Sequence, residues 1–271
     1  MLNTEKRNPK TTHIDKMTTT EMLRIINEEN FYAVKAVEAQ TQTIAAAIDA
    51  ITAALNDGGR LFYIGAGTSG RLAVADAAEC PPTFGVSEKL VTGIIAGGYG
   101  SMLRASENAE DSAENGKKDL LAHQIKKGDI LVGISASGSA AYVLGAMELA
   151  KELGCKTIAL TCNAGSAIDS AGDIKICTDT GAEVITGSTR MKAGTAQKLV
   201  LNMLSTCAMI KTGKVYENLM INLSPSNKKL EKRMIGIVME LRNCDSAKAE
   251  NLLKAHQWNI RKVLEESQDE M

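Results

Sequence analysis

The sequence predicts an α/β protein: a five-stranded parallel sheet flanked by helices, with helices before it and a small helical appendage after it. Five short apolar runs, at 61–64, 90–96, 130–135, 157–161 and 174–177, alternate with stretches of helical character, which is the pattern of βαβ units. These runs are continuously apolar rather than alternating, as strands covered on both faces require. A content of 44% hydrophobic residues in a chain of 271 supplies a sizeable core.

The elements follow in chain order. Residues 1–16 are polar and read as an arm. Thr18 and Glu21 are spaced as a capping box, so a short helix carrying Met22, Leu23, Ile25 and Ile26 starts there. Ala and Ile recurring at helical spacing predict a longer helix over 32–55, stopped by Gly58 and Gly59. The strands come next, and ligands of such sheets bind at the carboxyl ends of the strands. A further helix is expected from 190–192 to about 211. After Ser224-Pro225-Ser226-Asn227 the composition shifts to Lys, Glu and Leu, which fits three short helices broken at 243–245 and near 256–258. The expected division is therefore 1–56, 57–223 and 224–271.

A net charge of -1, from 31 basic and 32 acidic residues, gives no reason to expect nucleic acid or an anionic membrane as partner. No stretch has the length of a membrane span and the start lacks the apolar core of a signal peptide, so a cytoplasmic protein is expected. Six scattered cysteines read as reduced core residues, and three scattered histidines make no metal-ligand spacing. Neither a metal nor another cofactor is expected.

The first strand runs into Gly65-Ala66-Gly67-Thr68-Ser69-Gly70. This spacing occurs in dinucleotide folds, but the second strand ends Ile94-Ile95-Ala96-Gly97-Gly98, without the carboxylate that would hold a ribose. The hydroxyls of Thr68 and Ser69, at a helix N-terminus beside Gly67, suit a compact phosphate better. A second loop of this kind, Ser135-Ala136-Ser137-Gly138-Ser139, follows the third strand. Each loop alone also reads as a glycine turn with serines capping the next helix, whereas the pair in one sheet favours a sugar-phosphate site formed by Ser135, Ser137 and Ser139 with the first loop. Ser188, Thr189 and Lys192, at the start of the helix near 190, add hydroxyls and a cation suited to an anionic ligand.

Taken together, GAGTSGR (65–71), ECPPTFG (79–85), IAGG (95–98), ENAED (107–111) and EVITGSTRMKAGTAQKLVLNMLST (183–206) resemble the sugar isomerase (SIS) domain, and within it the N-acetylmuramic acid 6-phosphate etherase family. The resemblance runs from about Ile14 into the tail, where 245–264 is similar to a ubiquitin-associated-like helical domain. It implies a phosphorylated amino sugar as substrate, loss of its D-lactyl ether group, and two glutamates that map onto Glu79 and Glu110. On that reading Glu79 is the general acid at the ether oxygen and Glu110 removes the C2 proton. Where the family usually has Ala-Ser-Gly-Arg-Thr-Pro-Tyr after the third strand, this chain has Ala136-Ser137-Gly138-Ser139-Ala140-Ala141-Tyr142, lacking a guanidinium. A sugar-phosphate isomerase and a non-catalytic sugar-phosphate sensor are the alternatives, and lactate release separates them from an etherase. The long amphipathic helix before the first strand offers an apolar face for a homodimer.

Overall fold

The structure, a computed structural model, describes residues 2–104, 106, 108–225 and 227–266. Glu107 of the ENAED stretch and Ser226 at the expected tail boundary lie outside the described residues. In chain order the elements are α1 (Thr19–Glu38), α2 (Thr41–Asn56), β1 (Leu61–Gly65), α3 (Gly67–Phe84), β2 (Val91–Ile95), α4 (Gly100–Leu103), α5 (Ala113–Ala122), β3 (Ile130–Ser135), α6 (Ala141–Glu152), β4 (Lys156–Thr161), α7 (Ala167–Ala171), β5 (Ile174–Cys177), α8 (Lys192–Lys211), a two-stranded hairpin β6 (Val215–Tyr216) and β7 (Leu219–Met220), α9 (Lys228–Arg242), α10 (Ser246–Ala255) and α11 (Ile260–Glu265). They form two compact units, the first comprising Met1–Ala78 with Lys89–Ala208 and the second Glu79–Glu88 with Met209–Met271.

In the first unit the five expected strands make one parallel sheet in the order β2-β1-β3-β4-β5. Every position of β1 and β3 is buried, so both faces are covered, as the continuous apolar runs require. α6 packs on β1, β3 and β4, while α2 contacts β1 and β5. Asp129, 1% exposed, accepts hydrogen bonds from the Arg60 backbone and guanidinium, which ties the amino ends of β1 and β3. The chain leaves β1 for β2 on one side and returns to β3 on the other. Sheets of this topology open a crevice at that reversal, between the carboxyl ends of β1 and β3.

One local expectation changes. The first helix does not stop near residue 30: α1 runs to Glu38 and the break falls at Ala39–Gln40. The Thr18–Glu21 capping box is complete, and nothing in the polar stretch 27–30 forbids a helix. The break falls instead at Gln40, which leaves helical backbone geometry with φ -101 and ψ 10 and whose side-chain oxygen accepts from the Cys177 N–H on β5. The polar N-terminal arm carries local structure of its own. It forms three 3-10 turns, at Asn3–Glu5, Pro9–Thr11 and Ile14–Lys16, and buries Thr4, Asn8 and Thr11 against the first unit. Thr11 donates to the Val184 carbonyl at 2.8 Å, and Asn8 donates to Glu29 at 2.9 Å.

In the second unit α9, α10 and α11 have the predicted breaks. Asn243 adopts the left-handed conformation that ends α9, and Asp245 and Asn259 cap the next two helices. Met234, Ile237, Val238, Ala249, Leu253, Ile260 and Val263 form the core of this unit.

Candidate functional site

The glycine loop is built for close approach. A Cβ on Gly65 would stand 2.8 Å from the Gly70 nitrogen and one on Gly70 2.7 Å from the Gly65 carbonyl, so the end of β1 and the first turn of α3 touch through backbone alone. Gly67 has φ +52, which favours glycine there. Ser69 is buried and donates to Gln197 of α8 at 2.9 Å, and Asp76 accepts from Asn202 and Ser205, so α3 and α8 are stitched along their length. Burial raises the Asp76 carboxyl above its ordinary range, against the pull of those hydrogen bonds.

The second loop is a chain of hydroxyls. Ser135 accepts from the Gly138 N–H at 3.1 Å, Ser137 accepts from the Ser139 N–H at 3.3 Å, and the Ser137 and Ser139 hydroxyls are 2.8 Å apart. α6 follows with Ala140 at its N-cap and no side-chain acceptor there.

Both loops face one cavity of about 440 Å³, whose lining comes from the first unit alone. Gly67, Thr68 and Ser69 line it from α3, Ser135, Ser137 and Ser139 from the second loop, and Thr189 from the segment before α8. Glu110 lines it as well. Its carbonyl accepts the Tyr142 N–H at 2.9 Å, which holds its backbone at the start of α6. The helix after Glu110 is held to α6 by glycine contacts: a Cβ on Gly116 would stand 1.9 Å from the Tyr142 carbonyl, and one on Gly145 2.4 Å from that of Ala113. The Tyr142 hydroxyl donates to Asp119 at 2.7 Å, and burial together with that carboxylate pushes the phenol above its usual range.

Three expected residues are placed elsewhere. Ser188 sits half-buried between cavity-lining Gly187 and Thr189 without lining the cavity itself. Lys192 is buried and its ammonium pairs with Glu29 of α1, with 3% and 4% of the two side chains exposed. Its backbone N–H and that of Ala193 bond the Glu183 carboxylate at 3.1 and 3.0 Å, capping α8. Burial raises the Glu183 carboxyl, with those N–H groups opposing. Glu79 is exposed near the carboxyl end of α3 and belongs to the second unit.

Leu2, Glu5 and Gly187, which carry no functional mark in the sequence, also line the cavity. No Lys or Arg lines it among the described residues. An anion held there would rest on hydroxyls and backbone N–H groups at the starts of α3 and α6.

Residues 43–151 match the glucokinase regulatory protein N-terminal SIS domain and residues 102–206 the SIS domain. Phosphoheptose isomerases from Neisseria gonorrhoeae and Francisella tularensis share the fold, with TM-scores of 0.52 and 0.53 and identities of 21% and 22%, covering 70% and 71% of this chain and 98% of each of theirs. The N-acetylmuramic acid 6-phosphate etherase of Aeromonas hydrophila is 54% identical over 92% of this chain and 84% of its own length. N-acetylmuramic acid 6-phosphate etherase 2 of Vibrio parahaemolyticus is 52% identical over 93% and 84%. With this much identity over nearly the whole chain, carried on a five-stranded SIS sheet, the protein belongs to the N-acetylmuramic acid 6-phosphate etherase family.

Proposed function

We propose that this chain is a carbon–oxygen lyase that cleaves the D-lactyl ether of N-acetylmuramic acid 6-phosphate, giving N-acetylglucosamine 6-phosphate and D-lactate. The observation that carries the reading is the meeting of Glu110 with both hydroxyl-rich loops in one cavity, in a chain 54% identical to an etherase. The cavity volume falls within the range of about 300–1,000 Å³ usual for small-molecule sites.

The chemistry follows from the sugar. In the ring-opened form the C1 aldehyde acidifies the C2 proton. A carboxylate removes that proton, a double bond forms between C2 and C3, and the C3–O bond breaks with its electron pair on the lactyl oxygen, which takes a proton and leaves as D-lactate. Water then adds at C3 of the unsaturated aldehyde and C2 regains a proton. These steps are proton transfers and addition, with no net oxidation, so they call for no redox cofactor.

Glu110 is proposed as the C2 base, since it lines the cavity. Glu79 is proposed as the acid at the ether oxygen, which then activates water; this assignment rests on the ECPPTFG stretch. The phosphate is assigned to Thr68, Ser69, Ser135, Ser137, Ser139 and Thr189, with Gly67 admitting it to the backbone. Ser188 and Lys192 are assigned to shaping the segment that carries Thr189.

The purified protein is expected to release D-lactate from N-acetylmuramic acid 6-phosphate. A folded protein that binds the sugar phosphate without releasing lactate would be a sensor or an isomerase instead.

The protein is further proposed to be a cytoplasmic homodimer. No helix among the described residues is long and apolar enough to cross a membrane. An apolar groove of about 530 Å³ runs between α1, α2 and α8, lined by Val34, Val37, Ile44, Ile48, Leu199 and Met203, with Val34 54% and Met203 41% exposed. Covering such a face is a common basis of two-fold pairing. Light scattering on the gel-filtration peak should give twice the chain mass, and a monomer would remove this assignment.

A further inference from the structure

We propose that Glu5 contacts the substrate and selects the neutral face of the amino sugar, accepting hydrogen bonds from its hydroxyl or acetamido N–H groups; this rests on the cavity being the sugar-phosphate site. The N-terminal turn Asn3–Glu5 is strapped over the cavity by one buried side chain. Asn163, 4% exposed, accepts from the Asn3 N–H at 2.7 Å and donates to the Thr4 hydroxyl at 3.1 Å. The same amide donates to the carbonyl of Ala136 at 2.9 Å, and Ala136 is itself part of the cavity wall. Thr4 is fully buried, and the Asn3 side chain donates to Asp179 at 2.7 Å, so the residues before Glu5 are fixed from two sides.

Glu5 is thereby held at the cavity, where it and Glu110 are the two carboxylates among the described lining residues. One of its oxygens lies 3.1 Å from where a Cβ on Gly187 would stand, against the turn that precedes Thr189. Its backbone N–H donates to the Leu2 carbonyl at 3.1 Å, but its carboxylate makes no hydrogen bond or ion pair with the described residues, among which no Lys or Arg lines the cavity. An ionised carboxylate is an acceptor only. The proposed substrate carries two anions, the phosphate and the lactyl carboxylate, and a carboxylate turned towards either meets like charge in a confined space. The groups left for it to bind are the neutral donors of the sugar. The hydroxyl loops then take the phosphate and Glu5 reads the sugar body.

The test compares N-acetylglucosamine 6-phosphate with inorganic phosphate, by calorimetric titration of the wild type, Glu5→Ala and Glu5→Gln, beside lactate release by the wild type. The expected result is that Glu5→Ala weakens the sugar phosphate at least tenfold and Glu5→Gln less, while inorganic phosphate binds within twofold of the wild type. Sugar-phosphate affinity within twofold in Glu5→Ala, or an equal loss for both ligands, would overturn the proposal; the equal loss would make the strap purely structural. A wild type that binds the sugar phosphate but releases no lactate removes the etherase reading and leaves the Glu5 comparison decisive. A wild type that binds neither ligand overturns the Glu5 proposal, while its lactate release decides the etherase reading separately.

Discussion

Glu110→Gln is expected to lower D-lactate release by about 10²–10⁴-fold while the sugar phosphate still binds, because a positioned base contributes roughly that much to a proton abstraction. Glutamine keeps the shape of the side chain and its reach into the cavity but cannot take a proton. The distinguishing measurement is solvent deuterium at C2, followed by NMR. If Glu110 is the base, the variant loses C2 exchange and C3–O cleavage together. Glu79→Gln should behave differently: an acid variant still permits C2 exchange, since the base is intact, but is slow to expel the lactyl oxygen. Normal C2 exchange in Glu110→Gln would show that Glu110 is not the base. Loss of exchange in Glu79→Gln with exchange retained in Glu110→Gln would reverse the two assignments.

What was legible in the sequence was whatever periodicity or glycine spacing encodes. β1 and β3 announce themselves because a strand covered on both faces has no room for polar alternation, whereas the edge strand β5 exposes Lys175 and buries Ile176; each of the five begins and ends within a residue or so of its expected run. The two hydroxyl loops are legible as strand-to-helix turns, and their meeting at one cavity follows from β1 and β3 being neighbours in the sheet. Glu110 is a candidate through the family resemblance alone, since a glutamate in a polar stretch carries no local mark of function. Glu5 carried no mark at all. Its placement depends on Asn163, about 160 positions away, and a contact at that separation leaves no trace in a short window of sequence. Lys192 is hard to read for a related reason. A lysine at a helix start looks solvent-facing and ligand-seeking, and only the fold reveals that Glu29 on α1 already holds its charge.

That pair gives the largest expected effect on stability. Glu29→Leu should lower stability by about 3–5 kcal/mol, because it leaves the Lys192 ammonium buried beside the Tyr32 ring without the carboxylate it pairs with. Lys10 also pairs with Glu29, but half of its side chain is exposed, so water compensates for that loss. The check is the midpoint of thermal unfolding, with an expected fall on the order of 10 °C. The effect has a pH signature. Burial alone would raise the Glu29 carboxyl, but hydrogen bonds from Lys192, Lys10 and Asn8 outweigh it and hold the group below its ordinary value near 4.5. A carboxylate lowered on folding stabilises above its unfolded value and loses that contribution as pH falls through the lowered one. The gap between wild type and Glu29→Leu should therefore be full at neutral pH and shrink below about pH 4.5. Adding Lys192→Met to Glu29→Leu removes both charges and should recover most of the lost stability, the usual behaviour of a buried pair replaced by apolar residues. The recovered double variant then answers the question left by the sequence about Lys192. Lactate release at the wild-type level assigns the lysine to the scaffold that sets Thr189, whereas restored stability with lost activity returns its ammonium to the substrate.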